Sequence, residues 1–396
     1  MKKNWMVDGK KPVATVLAIG LIMAALAGCG AGRSQGTAST AGESGKTEQA
    51  SSSGLSEEKK GDAGAEKEEK RFRVVATVFP AYDWTRQILG DEAKNCDLTL
   101  LLDDGVDLHS YRPTAEDMTK IAECDLFIYV GGESDGWVQD ALSAASNPNR
   151  KVLNLMDALG DRAKPEKMVE GMEAEEHEHG DHEQEGQSED SSCHEKEAGK
   201  DQCCSDGSEE KEDHDHEAEM DEHIWLSLKN AEKLCGAIAT ELGELDAEHA
   251  EQYKQNLSAY TDKLNTLDME YKAAVDAGSV KTVLFGDRFP FRYLMDDYGL
   301  EYFAAFSGCS AETEASFETV TFLARKVDEL GLKTVLTIEG AKHGIAETIV
   351  QNTASKDQKI LTMDSMQGTT AKDVADGATY LKIMQANLDV LKEALR

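Results

Sequence analysis

The acidic tract, residues 173–222, most constrains how this chain of 396 residues can fold, because it cannot contribute to a hydrophobic core. It consists almost entirely of acidic residues, histidines, cysteines and small polar residues. A segment with so few aliphatic and aromatic side chains cannot bury enough apolar surface to offset the entropy lost on ordering, so we expect it to be disordered. The core must therefore come from the segments on either side of the tract.

The histidines of the acidic tract are grouped, and cysteines lie between the groups. Imidazole and thiolate are the ligands that borderline metal ions such as Zn²⁺ prefer, so the tract predicts loosely held metal without fixed geometry. The alternative is a solvated insertion whose histidines are incidental. The residues concerned are His177, His179, His182, His214 and His216, with Cys193, Cys203 and Cys204.

The N-terminus has the pattern of a secretory signal. Basic residues precede an apolar run, Val13–Ala27, which ends in Leu26-Ala27-Gly28-Cys29. A basic region, a short apolar region and small residues at the cleavage site are typical of a signal peptide, here residues 1–28. Leu-Ala-Gly-Cys resembles a bacterial lipobox, which predicts lipidation of Cys29 and a flexible tether over residues 29–70. An uncleaved anchor helix is the alternative. Both place the folded part outside the cytoplasm, membrane-anchored at the cell surface or in the periplasm.

Charge and cysteine usage narrow the function classes further. The formal net charge is −34 and there is no basic stripe, so the sequence argues against nucleic-acid binding and favours cations as ligands. Outside the acidic tract and Cys29, the cysteines have no framework spacing. Cys124 and Cys235 fall within apolar patterns and are expected to be buried thiols.

Strands alternate with helices on both sides of the acidic tract, which is typical of parallel sheets covered by helices. We therefore predict an α/β fold with two lobes, each with a parallel sheet flanked by helices, joined by a long rigid helix. The expected division is an N-terminal lobe over residues 71–160, a disordered insertion over 161–222, the end of that lobe and the linking helix over 223–277, and a C-terminal lobe over 278–396. Predicted strands are Phe72–Val78, Leu98–Leu102, Leu126–Val130, Val152–Leu155, Val283–Phe285, Tyr302–Phe306, Thr334–Ile338 and Ile360–Thr362.

The helices are predicted from apolar residues that recur at three- or four-residue intervals. The longest pattern runs over residues 228–277, with a break expected near Gly243. The other predicted helices are Tyr82–Leu89, Thr114–Ala122, Trp137–Ala145, Tyr293–Tyr298, Phe317–Leu330, Ala346–Thr353 and a C-terminal helix over Asp376–Leu395.

Metal-capable side chains follow several of the predicted strands, where open α/β sheets bind ligands. His109 lies in a loop after the second strand, just before a helix that Thr114 is expected to cap. His223 lies where the acidic tract gives way to folded protein. A single loop histidine is more often structural than a ligand, but two of them beside a histidine-rich tract favour a metal site.

These segments carry a family resemblance. His109-Ser110-Tyr111-Arg112-Pro113-Thr114 resembles the H-x-Y-x-P-[ST] segment of the solute-binding lipoproteins of zinc and manganese ABC importers, the ZnuA/TroA group. Asp221-Glu222-His223-Ile224-Trp225-Leu226 is similar to that group's D-P-H-I-W-L segment, and its zinc members also carry a His- and acid-rich insertion before it. The segments 310–316 and 293–300 are similar to its S-P-E-x-E-P-S loop and its Y-F-x-x-x-Y-G-L helix. The resemblance covers the chain from about Arg71 to its end.

The resemblance implies a metal site between two lobes. His109 and His223 match the two ligands of the first lobe, and Asp364, which follows the last strand, matches a carboxylate of the second. At the remaining position the group has His or Glu, whereas this chain has Arg288, which is always protonated and cannot coordinate. The candidates to replace it are Asp287, Glu339 and Cys309.

A structural role remains open for each predicted carboxylate. Asp287 could pair with Arg288 or Arg292, Glu339 could cap the helix Ala346–Thr353, and Asp364 could be a turn residue. His249 and His343 are expected to be structural or solvated.

The expected function is capture of a divalent transition metal, Zn²⁺ first and Mn²⁺ second, for delivery to an ABC permease and its ATPase by a lipid-anchored monomer. The alternative is a surface lipoprotein for metal buffering or metal-dependent adhesion, without a transport role. No H-E-x-x-H or G-x-S-x-G motif is present, so we do not expect an enzyme.

Overall fold

Two four-stranded parallel sheets organise the chain, one in each lobe. The computed structural model describes residues 71–144, 147–173, 219–310, 314–340 and 342–396. The predicted signal peptide, the predicted lipidation site Cys29, the predicted tether and most of the acidic tract lie outside the described residues. Within those ranges, no helix is both long and apolar enough to cross a bilayer.

The first lobe contains the sheet order β2-β1-β3-β4. In register, Phe72 of β1 pairs with Cys96 of β2, and Val74 pairs with Leu126 of β3. The loops that leave β2 and β3 at their carboxyl ends therefore lie on the same edge of the sheet, on either side of β1. The chain reverses its direction of travel across the sheet at this point, which is where open α/β sheets bind ligands. Its elements are β1 Phe72–Ala76, α1 Phe79–Leu89, β2 Cys96–Leu100, α2 Ala115–Glu123, β3 Leu126–Tyr129, α3 Val138–Ser143, β4 Lys151–Asn154 and α4 Leu155–Leu159.

Two long helices follow, α5 Leu228–Leu245 and α6 Ala250–Ala277. The α6 helix contacts both lobes. Asn256 donates its side-chain amide to the carbonyl of Ile88 at 2.9 Å, and Tyr271 donates its hydroxyl to the carbonyl of Met384 at 2.7 Å. The predicted helical connection between the lobes is confirmed, and it is fixed to each of them.

The second lobe repeats the topology of the first, with the sheet order β6-β5-β7-β8. All its strand pairs are parallel, and the pairing of β5 with β6 shifts register between Phe285 and Arg288. The predicted fold class is therefore confirmed. Its elements are β5 Thr282–Phe289, α7 Arg292–Tyr298, β6 Glu301–Ser307, α8 Phe317–Leu330, β7 Thr334–Ile338, α9 Gly344–Asn352, β8 Lys359–Met363, α10 Ala371–Ala375 and α11 Tyr380–Ala394.

Buried aromatic side chains tie the two lobes together. Trp225, between the tract and α5, is 1 % exposed and donates its indole N–H to the carbonyl of Ser365 in the second lobe at 2.9 Å. Tyr380 donates its hydroxyl to the carbonyl of Trp225 at 2.7 Å. The segment that carries His223 is thereby anchored against the loop that follows β8.

The ends of the predicted disordered insertion differ from the prediction. Residues 161–173 and 219–222 are described, and they pair with each other: the Asp221 N–H donates to the Lys164 carbonyl at 2.9 Å, and the Glu166 N–H donates to the Glu219 carbonyl at 2.7 Å. An isolated antiparallel bridge joins Pro165 and Met220. The expected bounds of 161 and 222 were therefore too wide at both ends.

Several boundaries were also wrong. Helix α1 begins at Phe79 rather than Tyr82, because a proline is tolerated in the first helical turn, where its missing N–H has no intrahelical partner. The break in the long helical region falls between Leu245 and Ala250, and Gly243 lies inside α5. The predicted C-terminal helix is two helices, α10 and α11.

Candidate metal centre

His109 reaches the centre from a single turn of 3-10 helix, Leu108–Ser110, that follows β2. Asp107 caps this turn by accepting the His109 backbone N–H at 3.0 Å. Shortly after it, Thr114 and Asp117 form a capping box at the start of α2, as the sequence predicted for Thr114. The turn that carries the His109 imidazole and the helix that follows it are thus each capped by a side chain, at the carboxyl edge of the first sheet.

His223 lies at the start of a later 3-10 turn, Ile224–Leu226, and is fully buried. Both its backbone N–H and its ring Nδ1 lie 3.0 Å from Oδ1 of Asp221. Because Asp221 is itself only 1 % exposed, this carboxylate oxygen fixes the ring orientation from inside the protein.

The two histidines face each other through their Nε2 atoms, which are 3.3 Å apart. The Nδ1 atom of His109 points the other way, 2.7 Å from the Ser134 hydroxyl and 3.5 Å from a Glu222 carboxylate oxygen. Each ring therefore has its Nδ1 atom on a first-lobe partner and its Nε2 atom in the shared space. Such outer partners orient metal-binding imidazoles in known sites.

Among the described residues, Cys309 is the second-lobe residue whose metal-capable atom groups with this pair. One donor atom each from His109, His223 and Cys309 all lie within 4.8 Å of one another. The thiol is partly exposed and follows β6, while Cys96, Cys124 and Cys235 are buried in the core. The prediction that Cys124 and Cys235 are buried thiols is confirmed.

The electrostatics of the pair are asymmetric. Burial, together with the neighbouring His223, lowers the pKa of His109. Burial alone would lower the pKa of His223 as well, but its hydrogen bond to the Asp221 carboxylate and the charge of that group outweigh this, so its pKa is raised. A hydrogen bond between the two Nε2 atoms at 3.3 Å requires a proton on one of them.

Arg288 joins the two lobes beside the histidines. Its guanidinium lies 2.7 Å from Oδ2 of Asp107 and donates to the carbonyl of Ser310 at 3.2 Å. The arginine that stands at the expected ligand position is thus committed to an ion pair and a backbone carbonyl.

The carboxylates predicted as ligands lie elsewhere at the same edge. Asp287 accepts the backbone N–H groups of Arg288 at 2.9 Å and Ile338 at 3.3 Å. Burial raises the pKa of Asp287. Within the part of the chain that the structure describes, no predicted carboxylate joins the cluster of His109, His223 and Cys309.

Glu339 and Asp364 organise the loop after β8. Glu339 accepts from the backbone N–H and hydroxyl of Ser365, both at 2.6 Å, and from the N–H groups of Gln367 and Gly368 at 3.2 and 3.3 Å. It therefore does not cap α9, which was its expected structural role. Asp364 accepts the Met366 N–H at 2.7 Å, and burial with the nearby Glu339 charge raises its pKa to about 7. Their role as ligands stays a prediction.

Sequence reasoning missed Gln367 and Ser134. With its carboxamide nitrogen towards Asp107 at 3.0 Å, the oxygen of Gln367 lies 3.2 Å from Nε2 of His223. Neither residue type signals metal binding by itself, and only the folded loops bring them to the histidines. His249, expected to be structural, contacts Asp246 at 2.7 Å at the start of α6.

Comparisons with known proteins agree with this architecture. The family model "Zinc-uptake complex component A periplasmic" (ZnuA) matches residues 74–394. The chain is 28 % identical over 323 residues to the zinc-binding lipoprotein AdcA of Streptococcus pneumoniae, a match that covers 82 % of this chain and 56 % of AdcA. It is 27 % identical over 325 residues to the high-affinity zinc uptake system protein ZnuA of Bacillus subtilis, covering 82 % of this chain and 88 % of that protein.

A solved structure supports the same fold. The crystal structure of the Zn(II)-bound ZnuA-like domain of S. pneumoniae AdcA superimposes with a TM-score of 0.58 at 24 % identity, covering 82 % of this chain and 99 % of that domain. The chain thus spans about half the length of the curated AdcA relatives it matches. Because the family model covers nearly the whole described part, the chain belongs to the family of zinc-uptake complex component A proteins.

Proposed function

We propose that this protein captures a divalent transition metal ion, zinc, between its two lobes and delivers it to the permease of an ABC importer. The observation that carries the proposal is the pair of buried imidazoles, His109 and His223, whose Nε2 atoms face each other at 3.3 Å. Two zinc–nitrogen bonds of about 2.0–2.1 Å at a tetrahedral angle put their nitrogens about 3.3–3.4 Å apart. The spacing therefore fits one zinc ion bound by both rings with little movement.

The surroundings of the pair favour zinc over hard cations. Imidazole nitrogen suits Zn²⁺, whereas Mg²⁺, Ca²⁺ and Mn²⁺ prefer sites made of oxygen ligands. Asp221 accepts from the Nδ1 atom of His223, which directs the lone pair of Nε2 towards the ion and raises its basicity. Asp364, Asp287 and Glu339 are the carboxylate candidates from the second lobe, and Asp364 comes first among these three because it alone matches the family in position and type.

The location follows from the sequence pattern at the N-terminus. We infer that Cys29 is lipidated and that a monomer is held outside the cytoplasm at the membrane, where an importer collects its ions. The names of the relatives, a zinc-binding lipoprotein and a zinc uptake system protein, support this role. We expect binding and transfer rather than catalysis.

A chelator-competition titration with Zn²⁺ tests the capture step. We expect one tight equivalent, and we expect it to persist when residues 174–218 are replaced by a short Gly-Ser linker, because the ends of that segment already pair with each other. His109→Ala or His223→Ala should each weaken the tight site by about a hundredfold, or about 2.8 kcal/mol. His249→Ala is the matched control, since this histidine contacts Asp246 outside the cluster. The zinc affinity of this variant should equal that of the parent.

Two results would contradict the proposal. Unchanged zinc affinity in both His109→Ala and His223→Ala would show that the tight site is not the histidine pair between the lobes. Loss of the tight equivalent when the acidic tract is replaced would place the tight site in the tract and support metal buffering instead. The delivery step is tested by growth under zinc chelation of cells that lack the chromosomal copy, which the intact chain should restore and the double histidine variant should not.

A further inference from the structure

Cys309 is placed differently from the other cysteines that the structure describes. Cys96, Cys124 and Cys235 are buried in the hydrophobic core, and Cys309 is the partly exposed one, in the loop that leaves β6 at the carboxyl edge of the second sheet. Loops at this edge face the corresponding edge of the first lobe, where the histidine pair lies. Cys309 is therefore the described cysteine that lies at the edge where the histidine pair is found.

The loop of Cys309 packs directly against one of the two histidines. A Cβ atom added at Gly308 would lie 2.9 Å from the Phe289 carbonyl oxygen and 3.1 Å from Nδ1 and the adjacent ring carbon of His223, so glycine allows this close approach to both. The Cys309 backbone is held from the other side, because its N–H donates to a Glu166 carboxylate oxygen at 2.9 Å. The backbone that carries the thiol is thus held by contacts on both sides of it.

The distances permit a common ion. The donor atoms of His109, His223 and Cys309 lie within 4.8 Å of one another. A tetrahedral zinc ion with a sulfur at about 2.3 Å and a nitrogen at about 2.05 Å separates the two by about 3.6 Å. The thiol therefore has to approach by at most about 1.2 Å, a displacement that rotation about the Cα–Cβ bond of a cysteine can supply.

Arg288 connects the segments that bear these donors. Its guanidinium pairs with Asp107, two residues before His109, and donates to the carbonyl of Ser310, the residue after Cys309. The arginine cannot coordinate metal. Its bonds instead hold the thiol loop against the turn of His109, across the boundary between the lobes.

We propose that Cys309 supplies the second lobe's ligand as a thiolate, completing a site with His109 and His223 in which Arg288 positions the two loops. On binding, the S–H proton leaves to solvent and a metal–sulfur bond forms, with no change of oxidation state. A site with two imidazoles and a thiolate is softer than one built with carboxylates, so it should discriminate more strongly against Mn²⁺. The inference rests on the proposed function and specifies the site's chemistry.

The test uses Co²⁺ as a spectroscopic probe on the full chain. Cys29, Cys193, Cys203 and Cys204 are replaced by serine, so that no thiol from the N-terminus or the acidic tract contributes. Tetrahedral Co²⁺ bound to a thiolate gives a sulfur-to-metal charge-transfer band in the near ultraviolet. We expect this band in the background protein, and we expect Cys309→Ser to abolish it and to weaken Zn²⁺ binding by about a hundredfold.

The matched control is Cys124→Ser, because the Cys124 thiol donates to the Ile121 carbonyl and a hydroxyl can do the same. It should keep both the band and the affinity. A second measurement needs no substitution at the site, so misfolding of a variant cannot affect it. In the background protein, bound Zn²⁺ should protect Cys309 from alkylation by iodoacetamide. The extent of alkylation is measured by peptide mass spectrometry.

The possible results separate the two proposals. Tight binding without a charge-transfer band, unchanged affinity in Cys309→Ser and no protection from alkylation would overturn the thiolate ligand while leaving metal capture intact. Absence of tight Zn²⁺ and Co²⁺ binding in the background protein would overturn both. A band that disappears only with Cys309→Ser, together with protection by Zn²⁺, would establish the ligand.

Discussion

Asp221 should tune the metal affinity through His223 without touching the ion. Its Oδ1 atom accepts from both the backbone N–H and the Nδ1 atom of His223, each at 3.0 Å, and both residues are buried. In Asp221→Asn the side-chain oxygen should stay in place, because the backbone N–H continues to point at it. The variant therefore removes the charge of the partner and keeps the ring's orientation.

The magnitude follows from the hydrogen bond that changes. A bond to a charged group contributes about 1.5–3 kcal/mol and a neutral one about 1 kcal/mol, so the loss is about 0.5–2 kcal/mol. At 1.4 kcal/mol per factor of ten, zinc affinity should fall by about two- to thirtyfold. The upper part of this range overlaps the losses of about tenfold to a hundredfold found for partners of metal-bound histidines.

The chain contains a matched control for this prediction. Asp246 makes the same contact with Nδ1 of His249, at 2.7 Å, at the junction of α5 and α6. Asp246→Asn should leave zinc affinity unchanged in the same chelator-competition titration. An Asp221→Asn protein that binds zinc within twofold of the parent, or an equal loss in both variants, would refute the argument that Asp221 acts on the metal through His223.

Three further predictions concern stability, the glycine contact and domain movement. Burial raises the pKa of Asp135 to about 7, so the folded state holds a proton that the unfolded state has lost above about pH 4, and stability falls as pH rises from about 4 to 7 by up to about 4 kcal/mol. Asp135→Asn should unfold at higher denaturant concentration than the parent at pH 8, with a difference that shrinks towards pH 4; equal shifts at both pH values would contradict this. Gly308→Ala should weaken zinc binding by about tenfold or more, because the added methyl group would press on the Phe289 carbonyl and on the His223 ring; unchanged affinity in the titration would contradict the close packing. Because α6 is bonded to both lobes, small-angle scattering curves of metal-free and zinc-loaded protein should nearly superimpose, and a large compaction would refute a rigid connection.

Much of the fold could be predicted from local chemistry. The bounds of α8 and β7 match the prediction, since Ser316 caps the helix, Gly331 ends it in a left-handed conformation and the strand that follows is short and fully buried. The break between α5 and α6 could not be placed, because Gly243 is a weak helix former that the helix tolerates where α6 approaches closely. Tertiary packing decided the boundary there.

Part of the candidate site could likewise be predicted from the sequence, and part could not. His109 and His223 could be identified because each lies in a short motif whose local residues cap or orient it. Cys309 could be listed as a candidate beside Asp287 and Glu339, but its proximity to the histidines could not be inferred, since it depends on how the second sheet is set against the first and on a glycine contact between distant segments. Glu339 and Asp364 look like ligands in the sequence because their type and place after a strand are right. Nothing in the local pattern reveals that Glu339 accepts four hydrogen bonds from the next loop.

Charge balance shows why one anionic donor from the second lobe can suffice. A zinc ion with two neutral imidazoles and one thiolate carries a net charge of about +1 by simple counting of ligand charges. The first lobe places two buried acidic side chains beside the rings, Asp221 on His223 and Glu222 at 3.5 Å from His109. Asp107 is already paired with Arg288 and adds little. A carboxylate in place of the thiolate would leave the net charge unchanged, so what Cys309 adds over Asp364 is softness rather than charge, and the difference should appear in the choice between Zn²⁺ and Mn²⁺.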